Sequence, residues 1–308
     1  DYDNTYKIAF PIDGLGGVHE DITKAAAGKV GIRFSKNLER GVEWPDIPSE
    51  KPRETSYMGL RNINKLGTLT YESHNGANQF WHSMAPSDAQ YTNGEVLNKI
   101  ISQADAWFIQ AKYQKKINHY DNNNGDALFE LGKLLHMVQD SYSPAHVIRD
   151  ENGAVVSFQA YNKQDHATHK DGESKKLVDI ESGPLGNEQG RTQSWQEVPG
   201  AMAAYRASVK ILELYKNGAS SDELKDFLRD DVYQFQNELT QSKPAGEIDP
   251  KYAPKPKTAI AENTETQSPN SLMTYLENHH GADASKVLAA MQASLSQNLQ
   301  NANNNMQL

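Results

Sequence analysis

Apolar residues recur along this chain at helical rather than strand spacing. Over 95–117, Val96, Leu97, Ile100, Ile101, Ala104, Trp107, Phe108 and Ala111 form one stripe, which predicts an amphipathic helix. The run Ala127-Leu-Phe-Glu-Leu-Gly-Lys-Leu-Leu135 is apolar on several faces, which predicts a buried helix over 126–142. Shorter patterns predict helices over 19–30 and 170–180. A further helix is expected from Pro199 to Tyr215, opened by proline and closed by Asn217-Gly218. Ser220 and Glu223 form a capping box at the start of a predicted helix over 220–241. Period-two alternation is nearly absent. Pro244, Pro250, Pro254, Pro256 and Pro269 break the chain over 243–269, and helical spacing resumes from Ser271 to about 300. The Asn/Gln-rich end is expected to fray. These patterns predict an all-α multi-helix bundle over 1–240, with a mainly helical C-terminal extension over 241–308.

The buried helix ends in His136-Met-Val-Gln-Asp140-Ser-Tyr-Ser-Pro144-Ala-His146. His136 and Asp140 are four apart and leave the helix on one side. Pro144 marks its end or a kink, since the residue before proline avoids the α region. That sets His146 on a differently directed backbone. Taken alone, a His/Asp pair at this spacing is usually a solvated surface pair worth about 0.2–0.5 kcal/mol. On a helix apolar all round, however, polar groups need partners, and a divalent ion is one.

Other histidines and carboxylates fall at places suited to the same chemistry. His19 follows a glycine-rich turn, Ile12-Asp-Gly-Leu-Gly-Gly-Val-His19. Asp46 lies between Pro45 and Pro48. His74 follows Glu72-Ser73, His82 follows Phe80-Trp81, and His169 and Glu173 repeat the four-residue spacing. Each has a plain structural reading by itself, as a core histidine, a turn residue or a surface pair. Their joint occurrence points to a metal site.

Composition limits the metal and the partners. The 308 residues contain no cysteine, so zinc would be held by nitrogen and oxygen alone. The formal net charge is −9 with no basic cluster, which disfavours nucleic acid as a partner. No apolar run is long enough to cross a bilayer. A chain that begins at Asp1 and is rich in Asn and Tyr fits a mature, secreted bacterial protein.

In this order the motifs resemble the zinc-dependent phospholipase C family, which is similar in fold to the S1/P1 nucleases. The resemblance rests on Ile12-Asp13-Gly14 and His19, Pro45-Asp46, the histidine beside Phe80-Trp81, the His136-x3-Asp140-x5-His146 element with Pro144, and His169-x3-Glu173. It covers about residues 9–175. It implies a helical bundle holding two or three zinc ions. One would be bound by Asp46, His82, His136 and Asp140, with His74 the alternative to His82. A second would be bound by His146, His169 and Glu173, and a third by Asp140 and His19.

The family completes the third site with an N-terminal tryptophan. This chain has none near its start, so the third site is expected to be altered, weaker, or completed by another group such as Asp13 or the Asp1 terminus. The remaining histidines, His119, His166, His279 and His280, are expected to lie outside the site. The implied activity is hydrolysis of the glycerol-side phosphodiester of phospholipids, phosphatidylcholine foremost, at a membrane surface or micelle. Asp46 would serve as ligand and general base, and Trp44, Phe80 and Trp81 would line a head-group pocket. The rivals are a zinc nuclease and a non-catalytic, zinc-stabilised binding protein.

Overall fold

The computed structural model describes residues 17–51, 53–56, 65–86, 91–117, 125–160, 177–178, 191–192, 194–235 and 238. The chain divides into two compact units, Asp1–Pro254 and Lys255–Leu308, and every described residue belongs to the first. The expected extension over 241–308, Asp13, the Asp1 terminus, His119, His166, His169, Glu173, His279 and His280 lie outside the described residues.

The described fold is mostly helical. Helix α1 spans Val18–Val30 and α2 Lys36–Glu43. Helix α3 spans Leu69–His74 and is followed by a 3-10 turn over Gln79–His82. Helices α4 (Asn93–Ile117) and α5 (Gly125–Asp140) come next, and after the strands come α6 (Ala201–Lys216) and α7 (Ser221–Phe227). The stripe predicted on α4 is buried, and so is every residue of α5 from Ala127 to Asp140 except the half-buried Glu130. The main core lies among α4, α5 and α6, and a smaller cluster of Val18, Ile22, Val198, Ala201 and Ala204 joins α1 to the start of α6.

Local chemistry accounts for the helix ends that position the site. Ser35 caps α2 by accepting from Leu38 N, and Thr68 caps α3 by accepting from Tyr71 N. The expected capping box is present on α7: Ser220 Oγ accepts from Glu223 N, and Glu223 Oε2 accepts from Ser220 N. Helix α2 crosses α5 at two glycines. A methyl group on Gly41 would lie 2.2 Å from Phe129 O, and one on Gly132 would lie 2.6 Å from Leu38 O. Backbones can approach this closely only where both residues lack a Cβ.

Two expected helices are corrected, and a few short strands join the mostly helical fold. β1 (Val147–Arg149) and β2 (Val155–Phe158) form an antiparallel hairpin with an irregularity between Ile148 and Arg149. Its turn is closed by Asp150 Oδ1, which accepts from Asn152 N and Ala154 N. The helix expected over 170–180 gives way at Leu177–Val178 to β3, paired with β4 at Arg191–Thr192. The helix expected over 220–241 ends early. After Phe227 the chain widens into a π turn over Leu228–Val232, and Tyr233 is drawn into the core, where its hydroxyl pairs with Ser83 Oγ at 2.6 Å.

Candidate metal centre

The C-terminal turn of α5 carries the centre. His136 and Asp140 face the same way, as their spacing predicts, with His136 Nε2 3.0 Å from Asp140 Oδ2. The chain leaves the helix at Asp140, turns through Ser141–Ala145, and returns His146 at the start of the β1–β2 hairpin, with Nδ1 3.6 Å from the same oxygen. Helix α1 places His19 Nε2 3.0 Å from Asp140 Oδ1, and the 3-10 turn places His82 Nδ1 2.9 Å from Asp140 Oδ2. One carboxylate therefore has three imidazoles within 3.0 Å and the Nδ1 of a fourth, His146, at 3.6 Å, from four parts of the chain.

A second carboxylate faces three of the histidines. The turn after α2, in which Asp46 N and Ile47 N both donate to Glu43 O, presents Asp46. Asp46 Oδ1 lies 3.9 Å from His74 Nε2, 3.9 Å from His82 Nδ1 and 3.8 Å from His136 Nε2. Among the described residues, two groups have ligand atoms close enough to share an ion: His19, His136 and Asp140, and Asp46, His74 and His82. The structure thus brings both His74 and His82 to Asp46.

Backbone carbonyls set the tautomers. A carbonyl oxygen only accepts, so the ring nitrogen facing it carries the proton. His136 Nδ1 donates to Val42 O at 2.7 Å, His74 Nδ1 to Thr70 O at 3.0 Å, and His146 Nδ1 to His82 O at 2.6 Å. His82 is turned the other way: its Nε2 donates to Pro45 O at 3.1 Å, with Ser73 Oγ beside it. His136, His74 and His146 would accordingly bind through Nε2 and His82 through Nδ1. Metal-ligating histidines are held in this manner, with the outer N–H on a fixed acceptor and the inner lone pair toward the ion.

The donor set fits zinc. His82 Nδ1 and His136 Nε2 are 3.1 Å apart and both lie within 3.0 Å of Asp140 Oδ2. Acceptors that close repel unless a proton or a cation sits between them. Burial holds the His136 ring's proton affinity down, to a pKa of about 3, against the pull of Asp140. Ligand atoms around a tetrahedral zinc ion with bonds of about 2.0–2.2 Å are about 3.4 Å apart, which lies between the 2.9–3.0 Å contacts of His19, His82 and His136 with Asp140 and the 3.8–3.9 Å ones around Asp46. Burial pushes the Asp140 carboxyl up, but His136, His146 and His19 outweigh it and hold Asp140 well below the ordinary carboxylate range.

All seven residues are buried, none more than 3% exposed. Ser83, directly after His82, has a left-handed backbone with φ 52°. It is pinned by its Oγ donating to Met137 O at 2.6 Å and by the contact with Tyr233. That pinned turn aims His82 O at His146. A left-handed serine of this kind stores about 1–3 kcal/mol and persists only where its surroundings hold it.

The three aromatic residues expected around a head group are arranged differently from one another. Trp44 and Trp81 are buried with rings 4.9 Å apart, and Phe80 is half-buried. Trp44 already carries a cation: Lys133 Nζ lies 4.9 Å from its ring centre, and 5.2 Å from those of Trp107 and Phe129. Glu130 Oε2 meets the same ammonium at 2.6 Å.

Sequence reasoning missed the outer partners. Ser73 and Gln139 carry no local signal beyond their adjacency to His74 and Asp140, and backbone carbonyls carry none. Comparison of the chain with protein-family models, with curated proteins and with solved structures finds no match.

Proposed function

We propose that this protein is a zinc-dependent phosphodiester hydrolase of the phospholipase C type, with the bundle architecture of that family and of the P1 nucleases. It would release diacylglycerol and a phosphorylated head group from phospholipid at a membrane surface or micelle. The observation that carries this reading is the convergence of His19, His82, His136 and His146 on Asp140, with Asp46 facing His74, His82 and His136. Bound zinc would supply water acidified toward a pKa of about 7 and positive charge for the phosphate. Asp140 would bridge two ions, His136 and His146 would serve different ones, and Asp46 would take the proton of the attacking water. His169 and Glu173 would complete the ligand set around His146.

The expected result is that purified protein with zinc releases phosphocholine from phosphatidylcholine and that His136→Ala abolishes release. Hydrolysis that survives that substitution, or a strong chelator, overturns the proposal. Cleavage of single-stranded DNA in place of phosphatidylcholine would identify a nuclease on the same kind of scaffold.

The burial of all seven residues supports one rival, a closed site that only stabilises the fold. A position that exchanges with inorganic phosphate, seen as a phosphate-dependent change in a cobalt-substituted spectrum, excludes that rival.

A further inference from the structure

His19 differs from the other four histidines in one respect. Its outer nitrogen is held by a side chain, where theirs are held by backbone carbonyls: His19 Nδ1 lies 2.7 Å from Gln139 Oε1. A backbone carbonyl dictates a tautomer unconditionally, whereas an amide can present either its oxygen or its NH2. Which end faces His19 depends on what holds the other end. Gln139 Nε2 is held twice, by Thr23 Oγ1 at 2.9 Å and by Ser208 Oγ at 3.1 Å. With both amide hydrogens on these hydroxyls, the oxygen is left for His19, and Nδ1 carries the ring proton.

The same ring is fixed in plane by stacking on His136, with centroids 4.1 Å apart and planes 23° from parallel. Stacking sets the plane and Gln139 sets the rotation within it. Together they turn Nε2 to Asp140 Oδ1 at 3.0 Å, the side on which an ion shared with Asp140 would sit.

Location adds a second reason to assign this network a task. Thr23, Gln139 and Ser208 are each 0% exposed, and they bind α1, α5 and α6 at one point. Val18, Ile22, Ala201 and Ala204 form an apolar cluster in the α1–α6 contact beside it. A buried amide and two hydroxyls are a costlier way to join helices than apolar residues of the same shape. Thr23 follows His19 by one helical turn, so α1 supplies both the ligand and one of the groups that orient the residue orienting it.

We propose that Gln139 is a positioning residue that sets the tautomer of His19, and through it the affinity of the ion held by His19 and Asp140. This rests on the metal-centre reading above and adds to it the control of one ion apart from the others. His136, His74, His82 and His146 keep their tautomers whatever Gln139 does.

The test uses the full chain, stripped of metal and titrated with zinc against a chromogenic chelator, with ring 15N chemical shifts reporting the His19 tautomer. Wild type is expected to show His19 protonated at Nδ1. Gln139→Met is expected to shift the ring toward the Nε2-protonated form and to weaken one zinc-binding step by about 10–100-fold, leaving the remaining steps in place. Gln139→Glu keeps an acceptor on Nδ1 and is expected to restore both readouts.

An unchanged tautomer and an unchanged zinc series in Gln139→Met overturn the proposal. Should that variant fail to fold, Thr23→Val combined with Ser208→Ala frees the amide to rotate. The same shift then supports the assignment, and its absence overturns it. Zinc uptake through His19 without phosphocholine release would sink the phospholipase reading and leave this one standing. Phosphocholine release with a Gln139→Met protein that binds zinc as wild type does would do the reverse.

Discussion

Gly41 and Gly132 face each other where α2 crosses α5, and a methyl group on either would collide with the other helix's backbone. That contact reaches the metal centre in two steps. Val42 follows Gly41 and supplies the carbonyl on His136 Nδ1, and His136 lies one turn beyond Gly132 on α5. Close approach of two helices therefore orients a candidate ligand.

Gly132→Ala is expected to destabilise the protein by about 1–3 kcal/mol, the range for overpacking a well-packed contact. It should also weaken zinc binding by withdrawing Val42 O from His136. Thermal melts and zinc titration of the same sample check both. A variant that loses stability but binds zinc as wild type does would show that the crossing serves packing alone.

His74 and His82 both reach Asp46, but only His82 also reaches Asp140. His82→Ala is expected to lower the number of zinc ions bound, because it removes one of the two imidazoles, with His136, that reach both carboxylates. His74→Ala should keep the number and weaken affinity. Metal analysis of the two purified variants separates these outcomes, and equal losses would contradict the difference in geometry.

The metal-free protein should lose stability in acid. The His136 ring stays neutral in the fold down to about pH 3, whereas in the unfolded chain it takes up a proton near 6.5. Its contribution is intact above 6.5 and is lost as pH falls toward 3, by at most about 1.4 kcal/mol per pH unit. Asp140, held below its ordinary 3.8, adds a loss of the same sign as pH falls through and below that value.

Glu43 acts in the opposite direction. Burial and the nearby Glu20 push its carboxyl up to about 7, so its burden is absent below 4.5, grows as pH rises from there to about 7, and levels off above it. Glu43→Gln should gain about 1–2 kcal/mol over wild type at pH 8, after allowance for solvent screening, and nothing at pH 4. Melts across that range in chelator check the signs.

Lys133 lies fully buried among Trp44, Trp107 and Phe129 with Glu130 on its ammonium. Desolvation draws its pKa down, and Glu130 opposes this. Lys133→Ala is expected to cost about 3–5 kcal/mol, since it leaves a partly buried carboxylate and a cavity. Lys133→Met with Glu130→Gln removes both charges and should recover most of that loss. Denaturant unfolding of the single and double variants measures the difference.

The parts of the molecule legible in sequence are those whose signals are contiguous. His136, Asp140 and His146 stand in one run, and the stripe on α4 and the capping box at Ser220 are local patterns. The β1–β2 hairpin carried a signal too, in Asn152-Gly153 before Val155 and Val156, but four residues are too few to show a period. Helix α2 shows only Leu38 and Val42 as large apolar residues over its eight positions, and what fixes it is the glycine contact with α5. The predicted helix after Ser220 stops at Val232 because Tyr233 finds Ser83, 150 positions earlier, and a contact of that range leaves no mark on local propensity. The outer hydrogen bonds of the site were illegible for a simpler reason: most of their acceptors are peptide carbonyls, which every residue has.

The meeting of distant segments at Asp140 also bears on when an ion can be caught. His82 and Asp140 are 58 positions apart, and His19 is 120 from Gln139. Contacts of such range form late in folding, after long loops have closed. The full set of donors comes together only when these segments meet, so zinc is expected to join after them rather than to nucleate the fold. Bound zinc should thus leave the refolding rate nearly unchanged and slow unfolding instead, as interactions absent from the transition state do. The metal would act as a latch on a finished fold rather than a seed for it.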